Sequence, residues 1–215
     1  AYEIYQCDWS SDVCSSDLDT RFVFLTGSTI EFWLKKNNRA DRTTQSAKDV
    51  VFYTATSGSS DKDKRLVIYV SGGVGNQGSI YTEYYTNTET KFSLGFDTGL
   101  SNLADSTWHH YAFCYYRGTG GYNVDFYLDG IYKQTQTSAT TNEDITGSAI
   151  GFIGALGGKL SGSTNLAGYG KLSGSIDEFR FWNVKRNAKQ IGRYYITSEI
   201  GDGTNTDDSN TDLGI

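Results

Sequence analysis

Between Ser106 and Lys133, apolar and polar residues alternate in two runs separated by a glycine-rich turn. Tyr111, Phe113 and Tyr115 share one side of the first run, with Ala112, Cys114 and Tyr116 on the other. In the second, Val124, Phe126 and Leu128 oppose Asp125, Tyr127 and Asp129. Side chains alternate across a strand, so each run predicts a strand with at least one buried face. Arg117 to Gly121 supplies the turn, and Asp129-Gly130 begins a second tight turn before Ile131. The stretch is an antiparallel hairpin.

The same pattern predicts strands over 22–25, 29–35, 50–54, 65–71, 79–85, 91–96, 149–154 and 174–183. In the 29–35 strand Ile30, Phe32 and Leu34 form the apolar face. Residues 134–147 read as a polar, Thr-rich connection, and 156–172 as a long Gly/Ser loop of the kind that often carries function. Helical spacing of Ala188, Ile191 and Tyr195, behind an Asn187 N-cap, predicts one helix over 187–196. Many short strands and one terminal helix give an all-β fold: an antiparallel two-sheet jelly-roll sandwich with one short C-terminal helix.

Residues 1–18 change the reading of charge and cysteine. Their sequence, AYEIYQCDWSSDVCSSDL, back-translates into consecutive parts of a common indexed sequencing adapter, with room for the index across Tyr5 and Gln6. The expectation is an adapter-derived, non-native segment that contributes no strand. The alternative is a short Ser/Asp-rich leader. Setting it aside removes Glu3, Asp8, Asp12 and Asp17, leaving 25 − 4 = 21 acidic residues against 19 basic, so the net charge of −6 falls to −2. Cys7 and Cys14 go with it. Cys114 is then alone in a predicted strand, which reads as a small buried side chain. The domain is expected over 19–198, followed by an acidic linker and the start of a truncated further segment over 199–215.

Composition narrows the function classes. Sixteen Tyr, eleven Phe and 25 Gly suit strands joined by tight turns. No apolar run approaches the roughly 20 residues that span a bilayer, so no membrane insertion is expected. With no basic cluster, nucleic acid is not an expected partner. Gly72 to Gly78 lacks the Lys-Ser/Thr ending and following helix of a phosphate cradle. His109-His110 is not a metal-ligand spacing, because adjacent strand residues point to opposite faces; one is expected buried and the other toward water. Asp125 reads as an exposed strand residue. Asp208, Asn210 and Asp212 resemble the start of a calcium loop, but the glycine comes late and the distal Glu is absent, so they read as solvated linker. Sugars stack on aromatic faces, which makes Tyr81, Tyr84, Tyr85 and Tyr169 the candidate ligand-binding residues.

Three motifs in order carry a family resemblance. Trp108-His109-His110-Tyr111-Ala112 with Phe126-Tyr127-Leu128-Asp129-Gly130 resembles the central hairpin of laminin-G-like domains of the concanavalin-A-like lectin/glucanase superfamily. Thr29 to Lys35 resembles their early strand, and Gly174 to Asn183 their closing strand. The likeness spans about residues 19–196 and implies the same sandwich. It also implies that Asp177 helps to hold a structural calcium, with carbonyls near the domain start; the other reading is a turn cap or a pair with Arg180. Hydrolase relatives carry E-x-D-x-E or E-x-D-x-x-E on one strand, and neither occurs here, so no enzyme is expected. The expected function is a non-catalytic module that binds glycan or a surface protein, within a larger extracellular, cell-surface or virion-surface protein. A purely structural spacer and a degenerate glucan hydrolase are the alternatives.

Overall fold

The computed structural model describes residues 2–3, 14–16, 24–36, 48–56, 64–71, 79–86, 89–100, 103–139, 145, 149–157 and 170–195. Their elements, in chain order, are β1 (Tyr2–Glu3), β2 (Cys14–Ser16), β3 (Ser28–Lys36), β4 (Lys48–Thr56), β5 (Arg65–Ser71), β6 (Ser79–Thr86), β7 (Glu89–Asp97), β8 (Trp108–Gly118), β9 (Gly121–Leu128), β10 (Ile131–Ser138), β11 (Ala149–Ile153), β12 (Gly174–Trp182) and α1 (Ala188–Tyr194). Two six-stranded sheets result. Sheet one runs β1-β12-β3-β8-β9-β10 and sheet two β2-β11-β4-β5-β6-β7, with antiparallel pairing throughout. The expected jelly-roll sandwich is the observed one.

The central hairpin pairs Tyr111 with Leu128 and closes at Gly118 opposite Gly121. Its predicted inward residues, Tyr111, Phe113, Tyr115, Val124, Phe126 and Leu128, all lie in the inter-sheet core. Ile30, Phe32 and Leu34 of β3 join them. Rings interlock across the sandwich: Phe52 of sheet two meets Phe179 of sheet one at 4.9 Å, and Phe96 meets Phe126 at 5.2 Å. Each such ring removed from water contributes roughly 1.5–3 kcal/mol. Polar ties also cross the layers. Thr82 and Tyr115 hydroxyls lie 2.8 Å apart in the core, and Lys36 Nζ lies 2.8 Å from Asp49 Oδ2 in a buried pair.

Four expectations are corrected. Residues 24–26 form a turn rather than the end of a strand, with Phe24 buried and Leu25 exposed. The polar stretch after Ile131 is an edge strand, β10, whose side chains are mostly exposed; with neither face buried it shows no hydrophobic alternation, and its Thr residues favour extended backbone. Asp125, expected exposed, is buried between its neighbours on sheet one. Residues 2–3 and 14–16 pair at the sheet edges, opposite Phe181 and Arg180 and opposite β11, so the 1–18 segment does contribute strands. Edge pairing uses backbone N–H and C=O groups that every sequence supplies, so it needs no alternation of side chains.

The outer face of sheet one is closed by the chain after β12. Thr29 Oγ1 donates to Val184 O at 2.8 Å, and Arg186 N donates to Thr29 Oγ1 at 2.9 Å. Cys114 Sγ lies 3.4 Å from Arg186 O. Beyond this strap, α1 starts at the expected Asn187 cap. Gln190 N donates to Asn187 Oδ1, and Asn187 N to Gln190 Oε1, each at 2.9 Å, a reciprocal capping box. Ile191 then packs onto Ala112, Cys114 and Tyr127.

The β9–β10 turn fixes where the helix ends. Asp129 and Gly130 have φ of 51° and 73°, the positive values that a two-residue type I′ hairpin turn requires at both positions. A Cβ at Gly130 would lie 2.5 Å from Tyr195 Cδ1, so Gly130 also makes room for that ring. Gly130→Ala is therefore expected to lower stability by about 1–2 kcal/mol through the strained φ, with the ring clash added. Urea unfolding followed by tryptophan fluorescence measures it; an unchanged midpoint would show that residue 130 does not hold a positive φ beneath Tyr195.

Candidate functional site

The outer face of sheet two carries a second apolar layer, in which Val50, Tyr53, Val67, Tyr69, Tyr85 and Leu156 are buried and Tyr81 and Phe152 are half-buried. Strand alternation places Tyr81, Glu83 and Tyr85 of β6 on this side, while Ile80, Thr82 and Tyr84 face the core. Tyr69 stacks on Tyr81 at 5.2 Å and an 11° interplanar angle. On its other flank Tyr81 lies across Gly95, where a Cβ would come within 2.7 Å of Tyr81 Cε1.

Glu83 sits among these rings. Its Oε2 takes Lys48 Nζ at 2.5 Å and the Tyr85 hydroxyl; its Oε1 takes the Tyr69 hydroxyl at 2.7 Å and Ser93 Oγ at 3.1 Å. Burial pushes the Glu83 carboxyl up, but hydrogen bonds from Lys48, Tyr85 and Tyr69 outweigh it, and the group is held below the ordinary carboxylate range. Burial and the Glu83 carboxylate push the Tyr69 hydroxyl upward, so it stays a donor. A carboxylate offers about four acceptor sites, and four donors fill them here. Glu83 therefore holds its neighbours in place rather than working as a proton carrier. Lys48 Nζ also lies 4.1 Å over the Tyr69 ring.

The sequence-predicted tyrosines fare differently. Tyr81 keeps a partly exposed ring on this face. Tyr85 is on the same face but 5 % exposed, its hydroxyl spent on Glu83. Tyr84 is wholly buried in the inter-sheet core, stacked on Phe92 at 5.6 Å, because even-numbered β6 positions point inward; it offers no face to a ligand. Tyr169 lies outside the described residues. Glu83, Lys48, Tyr69 and Ser93 were not anticipated. The i, i+2 spacing of Tyr81, Glu83 and Tyr85 carried the signal for Glu83, whereas Lys48, Tyr69 and Ser93 arrive only through strand register.

The two histidines divide as expected. His110 is buried, its Nε2 3.4 Å from Glu31 Oε2. His109 is half-buried, with Nδ1 2.8 Å from Asp129 Oδ2 and Nε2 3.2 Å from Asp105 Oδ2. Thr107 Oγ1 reaches Asp105 Oδ1 at 2.6 Å, and Asp129 Oδ1 accepts the His110 N–H at 2.9 Å. This cluster ties the segment before β8 to the β9–β10 turn.

Asp177 is exposed, and its Oδ1 accepts the Glu178 N–H at 2.8 Å. Arg180 Nη2 pairs with Glu178 at 2.5 Å. A calcium takes six to eight oxygens. Asp177 fits as one carboxylate ligand, but among the described residues no group of three or more His, Cys, Asp or Glu side chains converges on a metal position. No described helix is long and apolar enough to cross a membrane.

Residues 11–192 match the family model of the concanavalin A-like lectin/glucanases superfamily, in its laminin G form. The chain belongs to that superfamily. No curated protein matches it in sequence. Among solved structures, this superfamily member is similar to the carbohydrate-binding module CBM40 of a Ruminococcus gnavus IT-sialidase bound to α2,3-sialyllactose. The TM-score is 0.58 at 14% identity, covering 90% of this chain and 96% of that one. It is also similar to a native heptameric SAP-like pentraxin from Limulus polyphemus, with TM-score 0.54, 16% identity and coverage of 80% and 72%. A third likeness is to the botulinum neurotoxin serotype G binding domain, with TM-score 0.55 and 14% identity; it covers 84% of this chain but only 38% of that one. At such identities the likeness is one of fold.

The His109 cluster has a defined pH signature. Burial pushes the imidazole down, but the hydrogen bonds and charges of Asp129 and Asp105 outweigh it and raise it above 6.5. A raised folded value means stabilisation fully present below the unfolded value of about 6.5 and lost as pH rises through the folded value. On the acid side, burial raises Asp105 but hydrogen bonds from Thr107 and His109 leave it below 3.8, so its contribution fades only at still lower pH. Urea midpoints of wild type and His109→Gln are expected to differ most below about pH 6 and to draw together as pH rises through the folded value of His109. A pH-independent gap would show that His109 acts by packing alone.

Proposed function

We propose that this domain is a non-catalytic recognition module that binds glycan, or a glycosylated surface protein, through the outer face of sheet two. The observation that carries the reading is the half-buried Tyr81 ring, backed by Tyr69 and Gly95, with Lys48 and the saturated Glu83 beside it. A fixed, part-exposed aromatic ring next to polar groups offers a sugar both an apolar contact and hydrogen bonds. The same fold serves as a module bound to sialyllactose in the Ruminococcus gnavus sialidase and as a binding domain in botulinum neurotoxin. We place the module in a larger extracellular, cell-surface or virion-surface protein.

No hydrolytic role is assigned, since retention or inversion needs two carboxylates flanking one bond and Glu83 is surrounded by hydroxyls and one ammonium. A structural calcium held through Asp177 belongs to the proposal as well. The rival reading, a structural spacer, is favoured by the burial of Tyr84 and Tyr85, two of the tyrosines expected to face a ligand.

Glycan-array binding of wild type and Tyr81→Ala, each with calcium and with EGTA, separates these readings. Binding weakened about tenfold by Tyr81→Ala, the loss of one stacked ring, is the expected result. A lowered melting temperature in EGTA is expected from the calcium at Asp177. Silence of the wild type under both conditions would favour the spacer.

A further inference from the structure

We propose a second carbohydrate site on the opposite face of the molecule, at the outer corner of sheet one formed by β9 and β10, which takes a neutral saccharide. It does not depend on the sheet-two reading. Its centre is Tyr132, whose ring is 49% exposed. Tyr127 meets that ring edge-on at 5.6 Å and fixes its orientation.

The juxtaposition is made by a bulge. Tyr132 pairs with Tyr127, but the register then shifts, and Gln134 pairs with Phe126, Thr135 with Asp125 and Thr137 with Asn123. Without the shift, Tyr132 would share its face with Gln134 and Gln136. With it, Tyr132, Thr135 and Thr137 line the outer side together. Bulges bend a strand and re-aim its side chains, and they are over-represented beside functional sites.

Beneath this row the polar groups are already oriented. Asp125, itself buried, accepts Thr135 Oγ1 at 2.6 Å and the Tyr116 hydroxyl at 3.0 Å on Oδ1, and holds Lys185 Nζ 2.8 Å from Oδ2. The Tyr132 hydroxyl lies 2.9 Å from Thr135 Oγ1, and Thr137 Oγ1 donates to Asn123 Oδ1 at 2.7 Å. Thr135 and Thr137 thus have their protons committed inward and their remaining lone pairs outward. A row of oriented hydroxyl acceptors beside an exposed ring suits sugar hydroxyls and the apolar face of a pyranose. The one buried carboxylate beneath the row is matched by Lys185, so the row presents no unpaired carboxylate to a ligand. A neutral saccharide meets that surface without desolvating an unpaired ion.

The test is an NMR titration of the full chain with methyl β-D-galactopyranoside, cellopentaose and 3′-sialyllactose, reading backbone amides residue by residue. Saturable shifts at residues 123, 132, 135 and 137 with a neutral probe are expected. Tyr132→Ala should weaken them about tenfold and Thr137→Val by a smaller factor, with circular dichroism unchanged. Because Tyr132 is exposed on an edge strand, its removal leaves the core intact. No shift at these positions with either neutral probe would overturn the proposal, as would binding of sialyllactose alone or full affinity in Tyr132→Ala. Shifts confined to residues 69, 81, 83 and 95 would support the sheet-two site and overturn this one, so the two readings fail separately.

Discussion

A carboxylate sealed from water must be met by cations or donors, and Glu31 meets that requirement from the far end of the chain. It is fully buried on the outer face of sheet one, with Arg186 Nη1 2.5 Å from Oε1 and His110 beyond Oε2. Burial pushes its carboxyl up, yet His110 and Arg186 together hold it below the ordinary range. Removing one partner of such a pair typically costs about 3–5 kcal/mol, while replacing the whole pair with apolar groups is often neutral. The pair therefore gives position more than net stability. It fixes where residues 183–187 cross the sheet, and with them the Asn187 cap and the seat of Ile191 on Ala112, Cys114 and Tyr127. Burial likewise pushes the Cys114 thiol up to about 12, keeping it an inert part of that seat.

Sheet two solves the same problem differently. Glu83 also sits on an outer face, but its partners, Lys48, Tyr69, Tyr85 and Ser93, come from β4 to β7 of the same sheet. No distant strap is needed to neutralise it, and Lys48 and Tyr81 stay partly open to the surface. One outer face is thus committed to the fold, whereas the other leaves a polar and aromatic rim free. That asymmetry is why the proposed recognition surfaces belong to sheet two and to the corner of sheet one where Tyr132 stays exposed beside α1.

Legibility in the sequence followed the same division. Strands with large apolar residues at alternate positions, such as Tyr111 to Tyr115 and Ile30 to Leu34, announced themselves through alternation, although the chain after β12 also buries Glu31, Ala112 and Cys114 on their other face. The Asn187 cap was readable because capping is local chemistry. β10 was not readable, since neither of its faces is buried and the hydrophobic signal vanishes. The pairing of residues 2–3 and 14–16 was not readable either, since strands of two and three residues are too short for alternation to register. Within the site, alternation could place Tyr81, Glu83 and Tyr85 on one side of β6, and equally warned that Tyr84 was on the other. It could not say which side faces the core, because both carry tyrosines; that depends on the facing sheet. Asp125 looked solvated because charge usually is, and only the register of β8 and β10 reveals its partners.

Two buried carboxylates, Glu83 and Asp125, share one property: each has donors or cations on both oxygens. A carboxylate in that condition is a poor general base and a poor ligand for a mobile ion, since any new partner must displace one already bonded. What it does well is to hold hydroxyls and rings at fixed angles. The groups so held are Tyr69, Tyr85 and Ser93 on one face, and Tyr116 and Thr135 on the other. Preorganised hydroxyls and rings lose little further freedom on meeting a ligand, which is where weak, shape-reading contacts gain affinity. Glu83 and Asp125 are, in this fold, the supports beneath the two proposed recognition surfaces.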